Sequence, residues 1–181
     1  MPVPLLGLHD DGKHLLAALD WLEANCHTRP VGEQVILQYH RLVYAKNEKG
    51  AGEYRRHEIV MNESVIKRRS ANKVVVAMKA FDSRLALEQK RLDVLGKPDQ
   101  DMLLRTAVEL HHQIGLIHPF ADANGRVARL SMNHFLRRYG AGYVIYPPMN
   151  ESREMWESLQ AAHRGDLDTL VAFARRYVFE V

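Results

Sequence analysis

Twelve consecutive residues, His118-Pro-Phe-Ala-Asp-Ala-Asn-Gly-Arg-Val-Ala-Arg129, carry an imidazole, a carboxylate, a run of small residues and two guanidinium groups. A loop that feeds a helix leaves the first backbone N–H groups without intrahelical acceptors. The amides of residues 124–127 would therefore converge near the positive end of the helix dipole, where phosphate is attracted. Ala123 and Gly125 are small enough to let phosphate oxygens approach the backbone, and Asn124 can add a side-chain amide donor. Arg126 and Arg129 lie three apart on the expected helix, so their guanidiniums project from neighbouring positions and could clamp the outer phosphates of a triphosphate. Asp122 is the only carboxylate in the stretch. Mg²⁺ is held by one or two carboxylates completed by phosphate oxygens and water, so metal holding is the role expected of Asp122. An imidazole with an ordinary pKa of about 6.5 suits His118 to take a proton from an attacking hydroxyl. Each residue alone has an ordinary reading as turn, cap or solvated cation; the ordered combination describes nucleotidyl transfer.

The elements that must position these groups read as helices. Leu15, Leu19, Leu22 and Cys26 recur at helical spacing and predict a helix over about 13–26, closed by Pro30. Val35, Ile36, Tyr39, Leu42 and Val43 predict a second, ended by the glycines of NEKGAGEY. Residues 71–92 contain no Gly or Pro and predict a long amphipathic helix, with Asp99 as cap for the next. That next helix, about 101–117, has the strongest apolar stripe in the chain: Leu103, Ala107, Leu110, Ile114 and Ile117. Pro119 disfavours helical geometry at His118, which places the imidazole at the mouth of a loop. A further helix can start at Asn124 with Asp122 as cap, and helices over about 151–164 and 167–178 follow, the last capped by Asp166. The β-like stretch Tyr54–Val65, with its turn-forming Met-Asn-Glu-Ser, predicts one small β-hairpin. The expected fold class is mainly α, a helical bundle with that hairpin near the site.

A chain of 181 residues with 46% hydrophobic composition buries one substantial core, so a single domain over 1–181 is expected, with N-terminal helices at 13–46, the hairpin at 54–66 and a core at 71–178. The formal charge of +3 comes without a long basic run or a Lys/Arg ladder on one helical face, so a DNA-binding regulator is disfavoured and no nucleic-acid partner is expected. Cys26 alone excludes an internal disulfide and fits a reducing compartment. No run approaches the ~18 apolar residues of a membrane span, and the opening MPVPLLGLHDDGKH is unlike a secretory leader. A cytoplasmic protein with no membrane partner is expected, which leaves open delivery into another cell.

HPFADANGRVAR resembles the signature of the Fic family, His-x-Phe-x-Asp/Glu-Gly/Ala-Asn-Gly/Lys-Arg-x-x-Arg, at every specified position. GEYR at 52–55 is similar to the entry of that family's hairpin, and AAHRGDLDTLVAF at 161–173 resembles its closing helices. The resemblance implies a protein adenylyltransferase that uses Mg²⁺ and ATP and places AMP on a Ser, Thr or Tyr hydroxyl of a target protein, releasing pyrophosphate. It implies that His118 is the base and Asp122 the Mg²⁺ ligand. Asn124, Gly125 and Arg126 would form the anion hole, with Arg126 on the β-phosphate and Arg129 on the γ-phosphate, and Phe120 would be a core anchor. The segment Ile59, Val60, Met61 would belong to the flap that aligns the target by strand addition, and Trp156 and His163 would line the adenine pocket. Ala123 is Gly in most transferases of the family. Asp-Ala-Asn is the form of the Doc branch, small toxins that phosphorylate their target, which makes a Doc-like phosphotransferase the alternative, beside a nucleotide-binding regulator that transfers nothing. The Doc branch carries Lys at the position of Gly125, where it would obstruct the phosphate site, so Gly125 favours AMP transfer. The family's inhibitory Ser/Thr-x-x-x-Glu has no counterpart here, since no Ser or Thr is followed by Glu four positions later. Arg129 is thus expected to be available to nucleotide in the isolated chain, and a separate antitoxin protein is a candidate partner that would supply the inhibitory Glu.

Overall fold

A computed structural model describes residues 12–44, 50–59, 69–147 and 152–180. Among them are seven α-helices: α1 (Gly12–Asn25), α2 (Glu33–Val43), α3 (Val74–Leu95), α4 (Gln100–Ile117), α5 (Asn124–Arg138), α6 (Arg153–His163) and α7 (Leu167–Arg175). A 3-10 turn, Ala71–Lys73, leads into α3, and two short strands, β1 (Tyr143–Val144) and β2 (Val178–Phe179), pair antiparallel. The protein is mainly α, as the periodicity predicts.

The apolar stripe of α4 makes that helix the centre of the bundle. Leu103, Ala107, Leu110, Ile114 and Ile117 are all buried, and α4 packs most extensively against α5 and then α7. Helix α5 answers with Val127, Leu130 and Phe135, while its other side receives α2 and α1. One buried polar chain joins these layers. The Tyr39 hydroxyl donates to His134 Nδ1 at 2.6 Å, and His134 Nε2 donates to the Arg29 carbonyl at 2.8 Å. Because a carbonyl only accepts, this chain fixes the His134 tautomer and the direction of the Tyr39 bond.

Local signals set most helix ends. Ser152 accepts from the Met155 N–H at 3.1 Å and Asp166 from the Thr169 N–H at 3.1 Å, side-chain caps that satisfy first-turn donors. Gly96 ends α3 with φ 67°, a conformation that favours glycine. Asp99 occupies the cap position of α4 without a side-chain cap bond. The chain departs from the expected last helix at its end: α7 stops at Arg175, and Val178 and Phe179 pair with Val144 and Tyr143. The Ile145 N–H donates to the Tyr177 carbonyl at 3.0 Å, so a strand partner captures residues that helical periodicity alone would have continued.

Gly142 makes that pairing possible. It has φ 77°, and a Cβ there would lie 2.2 Å from the Phe179 carbonyl oxygen. Gly142→Ala is therefore expected to destabilise the fold by about 2 kcal/mol, through left-handed strain plus a backbone clash. Chemical denaturation of the variant measures it, and an unchanged midpoint would contradict this account of the pairing.

The expected hairpin lies partly outside the described residues. Tyr54 to Ile59 form no strand, and Ile59 is half-buried. Val60, Met61 and the rest of the stretch to residue 66 lie outside the described residues.

Candidate active site

Helix α4 ends at His118, whose N–H still donates to the Ile114 carbonyl at 2.8 Å while its own backbone turns left-handed, φ 51° and ψ 63°. Pro119 bars a right-handed continuation, and the left-handed turn reverses the chain toward α5. His118 Nδ1 lies 3.4 Å from the Gly115 carbonyl, a long contact that favours the proton on Nδ1. The imidazole is half-buried at the head of the loop, as the Pro119 argument predicts.

The loop is tied down from inside. Phe120 is fully buried, and its ring stacks on His40 with centroids 3.9 Å apart and planes 6° from parallel. Asn124 is buried as well. Its Oδ1 accepts from the Phe120 N–H and its Nδ2 donates to the Phe120 carbonyl, both at 2.9 Å. The side-chain amide expected to donate to phosphate is thus turned inward to close the loop, which leaves the backbone N–H as the first donor that Asn124 offers an anion. A buried amide that satisfies both backbone groups of Phe120 avoids the cost of leaving them unpaired, which explains why it turns inward.

The start of α5 also differs in detail from the sequence expectation. The cap position is Ala123, with φ 62°, rather than Asp122. Asp122 sits one residue earlier and its Oδ1 accepts from the Ala123 N–H at 2.6 Å. Val127 donates to the Ala123 carbonyl at 3.0 Å, so its amide closes the first helical turn and leaves the converging set. The first-turn amides are those of Asn124, Gly125 and Arg126, and no side chain caps the helix.

The two arginines take different posts. Arg126 donates from one Nη to the Val43 carbonyl at 3.0 Å, anchoring it to the end of α2. Arg129 folds back along α5 until an Nη lies 3.5 Å from the position a Cβ would occupy at Gly125. Burial lowers the Arg129 pKa from its ordinary value, the charge of Arg126 lowers it further, and Tyr146 partly offsets this. No carboxylate among the described residues pairs with Arg129. Beside it, His111 on α4 is pushed down to about 3 by burial, by the Arg129 charge and by His112, and its ring tilts against Tyr146 at 5.3 Å. The result is a half-buried cation that, among the described residues, neighbours another cation and uncharged rings but no anion.

His118, Asp122, Gly125, Arg126 and Arg129 are therefore brought together on one loop and helix start. Of the pair expected at the adenine, His163 turns toward α4, with Nδ1 3.0 Å from His112 Nε2, while Trp156 stands on α6 with 44% of its surface exposed. Two residues of the site escaped sequence reasoning. Arg55 donates from Nε to the His118 carbonyl at 2.8 Å, and its own N–H donates to the Pro119 carbonyl at 2.9 Å. His40 accepts at Nδ1 from the Gly52 N–H at 2.8 Å and carries the ring under Phe120. Arg55 stands in the GEYR segment, but a contact across 63 residues leaves no periodic trace.

Among the described residues no cluster of three or more His, Cys, Asp or Glu could hold a metal alone, and no helix is long and apolar enough to cross a membrane. Residues 30–136, more than half of the chain, match the Fic/DOC family. A protein adenylyltransferase Fic of Culex quinquefasciatus is 30% identical over 143 residues, covering 76% of this chain and 26% of the relative. Protein adenylyltransferase fic-1 of Caenorhabditis elegans is 38% identical over 77 residues, covering 42% of this chain and 15% of the relative. This chain thus spans only a small part of the curated relatives it matches. A solved structure of Fic-1 from C. elegans superposes with a TM-score of 0.69 at 25% identity, over 98% of this chain and 50% of that one. The family match and the shared fold agree: the chain belongs to the Fic/DOC family.

Proposed function

We propose that this domain transfers AMP from ATP to a Ser, Thr or Tyr hydroxyl of a target protein. The observation that carries the reading is Arg129, a half-buried guanidinium folded against Gly125 at the start of α5 with no carboxylate partner among the described residues. A half-buried cation without a counter-charge is partly stripped of water, and a phosphate group supplies the missing charge. Arg126, with one Nη on the Val43 carbonyl, and the first-turn amides of α5 lie on the same helix end, so a polyphosphate bound there would have both within reach.

In the reaction the target's hydroxyl oxygen attacks the α-phosphorus and gives its proton to His118 Nε2. A new oxygen–phosphorus bond forms, the bond from the α-phosphorus to the bridging oxygen of the β-phosphate breaks, and pyrophosphate leaves. Positioning of the nucleotide and stabilisation of the charge building on the phosphates supply most of the acceleration. Asp122 fits the metal expected here: it is an exposed carboxylate oriented by the Ala123 N–H, and a site with one protein carboxylate is what Mg²⁺ takes when phosphates complete the shell. Asp122 would hold the ion, which neutralises phosphate charge when bound. Relatives named protein adenylyltransferases support the same chemistry. Gly125 supports AMP transfer over phosphorylation, because the start of α5 has no side chain there to obstruct the Arg129 guanidinium.

The test is incubation of the protein with cell lysate and ATP labelled at either the α- or the γ-phosphorus. Label retained from the α position alone is expected. Label from the γ position would mean phosphorylation, and no label from either would leave a nucleotide-binding regulator.

A further inference from the structure

Arg55 is the residue that the reading above leaves without a role, and its environment is unusual for a surface-domain arginine. Its side chain is 2% exposed. The fork is spread over three main-chain carbonyls: Nε donates to His118 at 2.8 Å, one Nη to His57 at 3.1 Å, and the other Nη to Arg69. Its backbone N–H adds the Pro119 carbonyl at 2.9 Å. Among the described residues its one ion pair, to Glu58 at 3.8 Å, joins a carboxylate that is 68% exposed, and that carboxylate also accepts from the Ala71 N–H at 2.8 Å. An exposed pair at that distance contributes little, so the guanidinium acts here as a rigid multiple donor more than as a counter-ion.

The donors fall on the one stretch of backbone that needs holding. His118 is a β-carbon-bearing residue in the left-handed region, followed directly by proline. That conformation costs on the order of 1–2 kcal/mol and persists only where the surroundings fix it. The His118 N–H is held by α4, and the two carbonyls that follow, those of His118 and Pro119, are both held by Arg55. The direction of the His118 Cα–Cβ bond, from which the ring is swung by two torsions, follows from the backbone angles so fixed.

We propose that Arg55 is a positioning residue: its guanidinium locks the left-handed turn at His118–Pro119 and thereby aims the imidazole for proton acceptance. This rests on the reading of His118 as the base. Lysine at position 55 keeps the charge but offers a single flexible ammonium that cannot serve three carbonyls in fixed directions. Misaiming a catalytic group by an ångström or so lowers turnover about a hundredfold. The triphosphate contacts sit on α5 and do not pass through Arg55.

The experiment compares wild type, Arg55→Lys, and Arg55→Ala with and without added guanidinium ion, following transfer from α-labelled ATP into lysate protein. For Arg55→Lys the rate at saturating ATP is expected to fall about a hundredfold, with the ATP concentration at half-maximal rate unchanged. Guanidinium ion is expected to restore part of the Arg55→Ala loss. A maximal rate equal to wild type, or a loss confined to ATP affinity, overturns the proposal. Should the wild type itself transfer no AMP, the functional reading fails, and the positioning role is then read from the His118 ring resonances. Those resonances move in Arg55→Lys if the proposal holds and coincide with wild type if it does not. Should both variants unfold, the scalar coupling across the Arg55 Nε–H to His118 carbonyl bond in the wild type decides, and its absence overturns the proposal.

Discussion

Replacing His118 with alanine is expected to lower AMP transfer about a thousandfold, within the range that a general base contributes, while ATP binding survives. The Gly115 carbonyl beside Nδ1 favours Nε2 as the nitrogen that accepts a proton, and the left-handed turn places the residue at the head of the loop. No other described side chain in the loop combines that position with an acceptor of suitable basicity, because Asp122 is expected to hold the metal and Asn124 is turned inward. The phosphate donors belong to α5, so calorimetric titration of His118→Ala with Mg·ATP is expected to give the wild-type affinity. A variant that still transfers at more than a tenth of the wild-type rate would remove His118 from the role of base.

Mild acid is expected to cost much of the fold's stability, because three histidines are buried where protonation is disfavoured. His40 is buried between Phe120 and Tyr44, and its Nδ1 accepts from the Gly52 N–H, so the ring must stay neutral. Burial pushes it down to about 4; burial, Arg129 and His112 push His111 down to about 3, and burial lowers His134 as well. In the unfolded chain all three titrate near the ordinary value of about 6.5. Above that pH neither state binds the protons and stability is complete. As pH falls below it the unfolded state takes up protons that the folded state refuses, and stability declines until the folded groups themselves titrate. His40 alone accounts for on the order of 3 kcal/mol between about pH 6.5 and pH 4. Denaturant unfolding at pH 6.5 and at pH 5, above the range where most carboxylates titrate, checks the effect. His40→Asn, whose amide oxygen can take the Gly52 N–H, is expected to flatten the decline. Equal stability at the two pH values would mean that these rings are not held neutral.

The helices were legible because their signals are local. Pro119 stops α4, Asp166 caps α7, and the stripe from Leu103 to Ile117 needs no knowledge of any partner to declare its buried face. Short-range chemistry also brought His118, Asp122, Gly125, Arg126 and Arg129 into view, since twelve residues contain them all. What stayed hidden depends on contacts across long separations. Arg55 reaches His118 over 63 residues, and Gln89 ties both backbone groups of Val31 over 58, with nothing periodic to reveal either. The β1–β2 pair was hidden for the same reason, because two-residue strands carry no alternation to read. Asn124 shows a third kind of limit. Its donor capacity was visible, but whether an amide faces ligand or backbone is decided by which buried groups would otherwise go unpaired, here those of Phe120. Asp122 and Ala123 show how one residue of shift at a cap exchanges roles: the carboxylate orients the turn while alanine takes the left-handed cap.

The claim on which the rest depends is that the start of α5, with the Arg129 guanidinium folded over Gly125, receives a triphosphate. Amide and guanidinium NMR spectra of the protein titrated with Mg·ATP test it most directly. The largest shifts are expected at the backbone amides of Asn124, Gly125 and Arg126 and at the Arg129 side chain. Shifts centred instead on Arg84, Arg91 and Arg105, which line a cleft between α3 and α4, with the start of α5 silent, would contradict it.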